Sequence, residues 1–298
     1  MNPTPNNQPA VVTSSHELGL DLAAIAARYL FETDHLHYGL WTEDLPVHMK
    51  NLHKAQEQYS DLIVSTIPDG TKTILDVGTG TGALARRLMD AGYSVDCVSP
   101  SPYLTERARA NVGTDAQIFE CKFEDLVTDK RYDLILFSES FQYIPLNRSL
   151  VLSQEYLNTG GHVLICDYFR NDTPDKGPFG GGHHLKDFRK ELESSALTPL
   201  LDRDITPLTA PNLDLVADMN DKVVAPMKAQ LFAFARVKYP FWFKLTTSIF
   251  KKPLAHFDTK YMGGKRSGKN FQVYKSYRLL LFAKGTQGKL AGPEMVAD

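Results

Sequence analysis

Thr73-Ile-Leu-Asp-Val-Gly-Thr-Gly-Thr-Gly82 is the stretch that decides how this chain folds. Thr73–Val77 is a short apolar run with one acidic residue, Asp76, near its end. Glycines then stand at 78, 80 and 82, and Ala83–Ala91 has the spacing of a helix that stops at Gly92. A strand that enters a helix through alternate glycines turns sharply and leaves its backbone bare, so a ligand can lie against it. The spacing is not the G-x-G-x-x-G of dinucleotide binders, and no Lys follows as in a phosphate-binding loop, so readings as a nucleotide-phosphate site are weaker.

Toward the C-terminus the pattern repeats. Strands are predicted at Tyr93–Ser99, Ala116–Cys121, Asp133–Ser138 and Val163–Cys166, the last entered through Gly160-Gly161. Helices are predicted at Pro102–Asn111 and Ser149–Leu157. Short apolar strands alternating with helices predict βαβ units and a mostly parallel sheet covered on both faces, an α/β fold of the Rossmann-like, doubly wound kind. Such sheets bind ligands beyond the carboxyl ends of their strands. That rule points to Asp76–Gly82, Ser99–Ser101, Phe123–Leu126, Ser138–Tyr143 and Asp167–Phe169. After Arg170 the alternation stops: a Gly/Pro-rich loop at Asn171–Gly182, a helix at His184–Ser195, one or two helices over Leu213–Val237, and a returning strand at Phe271–Lys284. The expected division is a disordered tail at 1–15, a helical cap at 16–70, a cofactor-binding core at 71–170, a lid insertion at 171–270, the returning strand at 271–285 and a tail at 286–298.

The 298 residues, 43% hydrophobic and 23% charged, describe an ordinary globular chain with room for a large core. No apolar run is long enough to span a bilayer, and the first residues lack the basic start and apolar stretch of a secretory signal. Cys97, Cys121 and Cys166 form no C-x-x-C pair and read as reduced thiols of a cytoplasmic protein. The net charge of −2 hides an asymmetry: Lys222–Leu280 holds 13 Lys or Arg against one acidic residue, leaving 20 basic and 34 acidic elsewhere. A basic C-terminal third on an acidic body favours an anionic ligand or surface.

Ile74–Gly82 closely resembles the first motif of class I S-adenosylmethionine methyltransferases, and the order of elements agrees over about 73–170. The resemblance implies S-adenosylmethionine as cofactor. It implies that Asp76 and the backbone at Gly78, Gly80 and Gly82 hold the methionine portion, with Ser138 nearby. In the family an acidic residue ends the second strand and takes the ribose hydroxyls. Here Ser99, followed by Pro100, stands at that place, and Asp96 lies inside the strand. Lys122 occupies a position where the family often has Asp, leaving Phe123 or Glu124 to meet the adenine. His35-Leu-His-Tyr-Gly-Leu-Trp41 resembles a stretch in the sterol, coclaurine and quinone-type small-molecule group, in which an N-terminal segment closes over the cofactor. On that reading Tyr38 meets the methionine end, while His35 and Trp41 line the substrate pocket with Glu139, Gln142, Tyr143 and Tyr168.

Methyl transfer is an in-line displacement in which positioning supplies much of the catalysis, and a base is needed only if the nucleophile must lose a proton. The candidate bases are His37, His183 and His184, then Glu139 and Asp167. His183-His184 lacks a third ligand, so no metal centre is expected. Leu231–Lys252 is aromatic and basic together. It suits a lid, an anionic membrane surface or nucleic acid, and its place before the last strand favours the lid. The expected activity is methylation of a small, partly apolar metabolite that could be anionic, by a monomer or homodimer. The rivals are an RNA or protein methyltransferase and a non-methylating cofactor-binding protein of the same fold. Against the first, Ser138-Glu-Ser-Phe-Gln-Tyr143 is not an Asn-Pro-Pro-Tyr-like base-handling motif.

Overall fold

The computed structural model describes residues 15–252, 254–255 and 264–285. Of the predicted tails at 1–15 and 286–298, all but Ser15, which is helical, therefore lie outside the described residues. Two helices, α1 (Ser15–Phe31) and α2 (Leu52–Thr66), precede the sheet and are joined by an irregular segment that carries His35–Trp41. The core then runs β1 (Thr73–Val77), α3 (Ala83–Asp90), β2 (Ser94–Val98), α4 (Pro102–Val112), β3 (Ile118–Phe119), β4 (Tyr132–Ser138), α5 (Leu146–Tyr156) and β5 (Leu157–Arg170). It continues with α6 (Leu185–Glu193), β6 (Leu197–Asp204), α7 (Thr206–Thr209), α8 (Pro211–Met219), α9 (Ala225–Lys238) and α10 (Pro240–Ile249). A short helix at Gly268–Tyr274 leads into β7 (Lys275–Lys284).

The seven strands form one sheet in the order β3-β2-β1-β4-β5-β7-β6. β1 to β5 are parallel, and β7 runs antiparallel between β5 and β6. This is the mostly parallel Rossmann-like sheet that the alternating pattern implies. Its central strands are buried on both faces, so they need continuous apolar runs. Ile74, Leu75, Leu134, Ile135, Leu136 and Val163 meet this need and are fully buried. β1 lies between β2 and β4, so chain order reverses there and the carboxyl ends open a crevice.

The structure departs from the sequence reading at four places. The fifth strand, expected at Val163–Cys166, runs from Leu157 through Gly160-Gly161 to Arg170. Leu197–Asp204 is a strand, although the reading left it inside the lid insertion. It is an edge strand, mostly exposed, with Pro199 in its run and a register irregularity beside it. Pro is confined to such edges because it cannot donate to the ladder. The strand read from Phe271 begins instead at Lys275: the Ser267 hydroxyl accepts from Asn270 N–H, capping the helix Gly268–Tyr274. The third strand shrinks to Ile118–Phe119, at the opposite edge.

α8 passes into α9 without a break, through a wide π-helical turn at Asn220–Val224. Pro226 stands two residues after it. It has no N–H to give to the carbonyl four residues back, and such a loss is commonly absorbed by a local widening of the helix.

Candidate active site

The glycine corner is built as its spacing demands. Gly78, Gly80 and Gly82 all have positive φ, at 79°, 56° and 80°. Their surroundings differ. A Cβ on Gly78 would lie 2.4 Å from Ser140 Cβ, and one on Gly82 would lie 2.9 Å from Ala108 Cα on α4. Those two glycines are required by packing. A Cβ on Gly80 would meet nothing closer than Leu36 at 3.9 Å. Gly80 alone leaves bare backbone facing open space.

That space is a cavity of about 370 Å³ lined from the strand ends. This volume suits a small cofactor or metabolite. One wall is Asp76–Thr81, another Val98–Ser101 with Leu104, and a third Lys122–Glu124. Ser138–Ser140, Tyr143 and Ile144 close the inner end, and His35–His37 lie across the top. Asp76, Gly78, Gly80, Ser99, Pro100, Phe123, Glu124 and Ser138 thus meet in one place, with His35, His37, Glu139 and Tyr143. Gly82, Tyr38, Trp41, Gln142, Tyr168, His183 and His184 are not among the lining residues, and neither is any residue of 231–252.

Of the three carboxyls in the lining, Asp76 is buried, while Glu139 and Glu124 are partly buried. Asp76 is 2% exposed and accepts from the Thr79 hydroxyl at 2.5 Å; burial pushes it up to about 6, with that hydroxyl pulling the other way. Glu139 follows β4 directly and holds φ at 56°, a conformation that costs a non-glycine residue about 1–2 kcal/mol. Its backbone N–H donates to the Cys166 carbonyl at 2.9 Å. The side chain is thereby turned toward the cap: Oε1 accepts from Tyr38 N–H at 2.6 Å and from the Tyr277 hydroxyl at 2.7 Å. Burial raises Glu139 to about 7 despite those two donors. The Tyr277 hydroxyl oxygen also lies 3.1 Å from the Tyr59 hydroxyl. Neither tyrosine was singled out from the sequence. No local signal marks them: Tyr277 stands between Ser276 and Arg278 ahead of the apolar run of β7, and Tyr59 is one apolar position of α2.

Both histidines of the cap are neutral. His37 Nδ1–H donates to the Tyr38 carbonyl at 2.9 Å, so its Nε2 is the acceptor for His35 Nδ1–H at 3.0 Å. Burial, then the neighbouring His35, lowers His37 to about 3; burial, then His53, lowers His35 to about 4. The whole segment is stitched down. Gln56 donates to the carbonyls of His35 and His37, the Thr81 hydroxyl to the Asp34 carbonyl, and Asn212 of α8 makes a two-way pair with the Gly39 N–H and C=O. Arg107 pairs with Asp34 at 3.1 Å. Trp41 is only 4% exposed and packs against Ala55 and Leu215, which makes it an anchor for the segment.

The other histidines lie elsewhere. His183 Nε2 lies 3.2 Å from the Phe141 carbonyl and 2.9 Å from that of Ile144, so it carries the proton and cannot accept one there. His184 is the N-cap residue of α6. Gln142 and Tyr168 seat the glycine loop: Gln142 Oε1 accepts from Gly182 N–H at 3.2 Å, and a Cβ on Gly181 would strike both side chains. Asp167 holds Gln142 through its N–H and side-chain amide, at 3.0 and 3.1 Å. Burial, then the charge of Glu139, pushes Asp167 up to about 8.

Toward β2 the wall is polar but without a carboxylate. Ser99 is 2% exposed and presents a hydroxyl. Asp96 is committed elsewhere, to Lys130 at 2.7 Å and the Tyr132 hydroxyl at 2.9 Å.

A sheet of this order with an acidic strand end, a glycine corner and a roofed cavity defines an α/β protein that encloses a small ligand. The profile of a family described as a methyltransferase domain matches residues 52–204, and the chain belongs to that family. An uncharacterized methyltransferase of Mycobacterium tuberculosis is 26% identical over 97 residues, which is 33% of this chain and 40% of the relative's own length. Among solved structures, the [4+2]-cyclase SpnF superposes with a TM-score of 0.66 at 15% identity, over 90% of this chain and 94% of that one. The geranyl diphosphate C-methyltransferase of Streptomyces coelicolor A3(2), solved with Mg2+, geranyl-S-thiolodiphosphate and S-adenosyl-L-homocysteine, gives 0.63 at 16% identity, over 93% and 100%.

Proposed function

We propose that this protein is an S-adenosylmethionine-dependent methyltransferase acting on a small, partly apolar metabolite. The observation that carries the reading is the pairing of a bare Gly80 backbone with the buried Asp76 and the partly buried Glu139 in one cavity. The residues fit the cofactor. Asp76 and Gly80 would hold its methionine end, Ser99 one ribose hydroxyl, and Phe123 with Leu104 its base, with Lys122 and Glu124 at the rim. When bound, S-adenosylmethionine supplies an electrophilic methyl group on a sulfonium.

The chain's own residues do the rest. His35–His37 roof the cavity and exclude water, and their low basicity keeps them uncharged beside a cationic ligand. Glu139 is the acid–base group best placed for an acceptor that must lose a proton. Tyr38 N–H and Tyr277 O–H fix its Oε1, and its tuning to about 7 suits proton transfer near neutrality. Support for Glu139 over the histidines is geometric: His183 and His184 are away from the cavity, and His37 has no free basic nitrogen. Two observations favour a second reading, cofactor binding without methyl transfer. Ser99 replaces the usual carboxylate, and a similar fold belongs to a protein named a cyclase.

Calorimetry with S-adenosylmethionine tests the cofactor, and absence of binding at millimolar concentration removes the proposal. Incubation with a metabolite extract then separates the two readings. Gain of one methyl mass in an extract component, lost with Glu139→Gln, supports methyl transfer. Binding with no mass gain in any extract favours the second reading.

A further inference from the structure

The α9–α10 hairpin stands apart from the rest of the molecule. Neither helix buries a single residue. The helices hold each other through Phe232 and Phe243, whose rings meet edge to face at 5.6 Å, with Lys228 over the first ring and Arg236 over the second. Their remaining apolar side chains point outward. Met227, Leu231 and Phe234 recur at helical spacing on α9 and are 60–63% exposed. Phe241, Leu245 and Ile249 recur at the same spacing on α10, at 69, 40 and 63% exposed, beside Trp242 at 61%. A soluble surface rarely carries so much contiguous apolar area unless something covers it. The cavity does not need it as a cover, since no residue of the hairpin lines that cavity.

The charge on the hairpin says what covers it. Between Lys222 and Lys252 there are seven Lys or Arg and no Asp or Glu. The rest of the chain outside Lys222–Leu280 is acidic, with 34 carboxylates against 20 cations. An apolar aromatic face edged by cations is the composition of helices that lie in the headgroup layer, where aromatic rings sink and Lys and Arg reach back to phosphate. At 14 and 10 residues these helices are too short to cross a bilayer, and among the described residues no helix is long and apolar enough to do so. We propose that the α9–α10 hairpin docks the protein on an anionic lipid bilayer, with Phe241, Trp242 and Ile249 inserted and Lys244, Lys251 and Lys252 at the phosphates. The acidic body is repelled by the same surface, so docking has one orientation. The proposal is independent of the chemistry in the cavity.

The molecule carries its own reporter. It has two tryptophans, Trp41 at 4% exposure and Trp242 at 61%. Only Trp242 can change environment on docking. The test uses the full chain with phosphatidylcholine vesicles, plain or containing a third phosphatidylglycerol. Expected are sedimentation with the anionic vesicles at low salt, none with the neutral ones, a blue shift of emission on binding, and release by salt. F241S/W242S/I249S and K244E/K251E/K252E should each lower vesicle affinity at least tenfold. Their melting temperature should not move, because these side chains are exposed. Calorimetric affinity for S-adenosylmethionine is unchanged in both, which keeps this result separate from the proposed activity. Failure to sediment with anionic vesicles at low salt overturns the proposal. So does binding undiminished in both variants. A concentration-dependent dimer dissolved by the aromatic variant without vesicle binding assigns the surface to a second copy instead. Retention of duplex or single-stranded nucleic acid without vesicle binding assigns it to that partner.

Discussion

Three glycines with the same sign of φ do different work, and substitution separates them. Gly82→Ala pushes a Cβ against the α4 backbone in a left-handed conformation and should destabilise the protein by about 1–3 kcal/mol. Gly80→Ala carries the conformational cost alone and fills the cradle instead. In thermal denaturation Gly82→Ala should melt clearly lower than Gly80→Ala, while calorimetry should show the larger loss of cofactor affinity in Gly80→Ala. The reverse order would mean that the ligand does not lie on Gly80. Glu139→Gln should lower turnover about 10²–10⁴-fold, the usual worth of a positioned acid–base group. Because it removes a desolvated ionisable group, it should not lower the melting temperature at pH 8. The Asp and the glycine corner were legible because their spacing is itself the structure. Glu139 was named only among substrate contacts and secondary bases: its neighbours Tyr38, Tyr59 and Tyr277 come from three distant parts of the chain. No local pattern announces such a meeting.

At the scale of elements, β1, β2 and β4 could be read directly, since doubly buried strands need apolar runs and end in turns. β6 could not, because an exposed edge carrying a proline looks like loop. Gly268–Tyr274 could not either, because Gln-Val-Tyr alternates as a strand does until Ser267 caps it as a helix. The hairpin's place before the last strand suggests a lid, yet no residue of 231–252 lines the cavity, whereas His35–His37 of the His35–Trp41 segment do. That segment depends on α8. Asn212→Ala removes both bonds to Gly39 and should cost about 1–3 kcal/mol. Hydrogen exchange should rise at residues 36–41, and Leu40 N–H, bonded to Ala55, is the probe to follow. Unchanged exchange there would mean that α2 and the glycine corner hold the roof without α8.

The buried ionisable groups give the whole molecule a pH signature. Asp76, Glu139 and Asp167 all have folded values raised above the unfolded ones, to about 6, 7 and 8. Their contribution is fully present below about pH 4 and is lost as pH rises through those values. His35 and His37 are lowered, so their contribution is lost as pH falls below about 6.5. Below pH 6 the two effects oppose each other. Between about 6.5 and 8 the carboxyls act alone, and the melting temperature should fall across that window. A cationic cofactor favours the ionised carboxyls, so its binding should release protons and tighten with rising pH. Calorimetry at pH 6.5 in buffers of different ionisation enthalpy reads this directly; equal heats in all of them would show that Asp76 and Glu139 do not face the bound charge.

The uneven placement of charge along the chain has an electrical consequence besides docking. Near its isoelectric point of about 6.5 the molecule carries no net charge but is still a dipole, with its positive pole toward the α9–α10 hairpin. Such a molecule should be retained by cation and anion exchangers alike at a single pH, each resin gripping an opposite end.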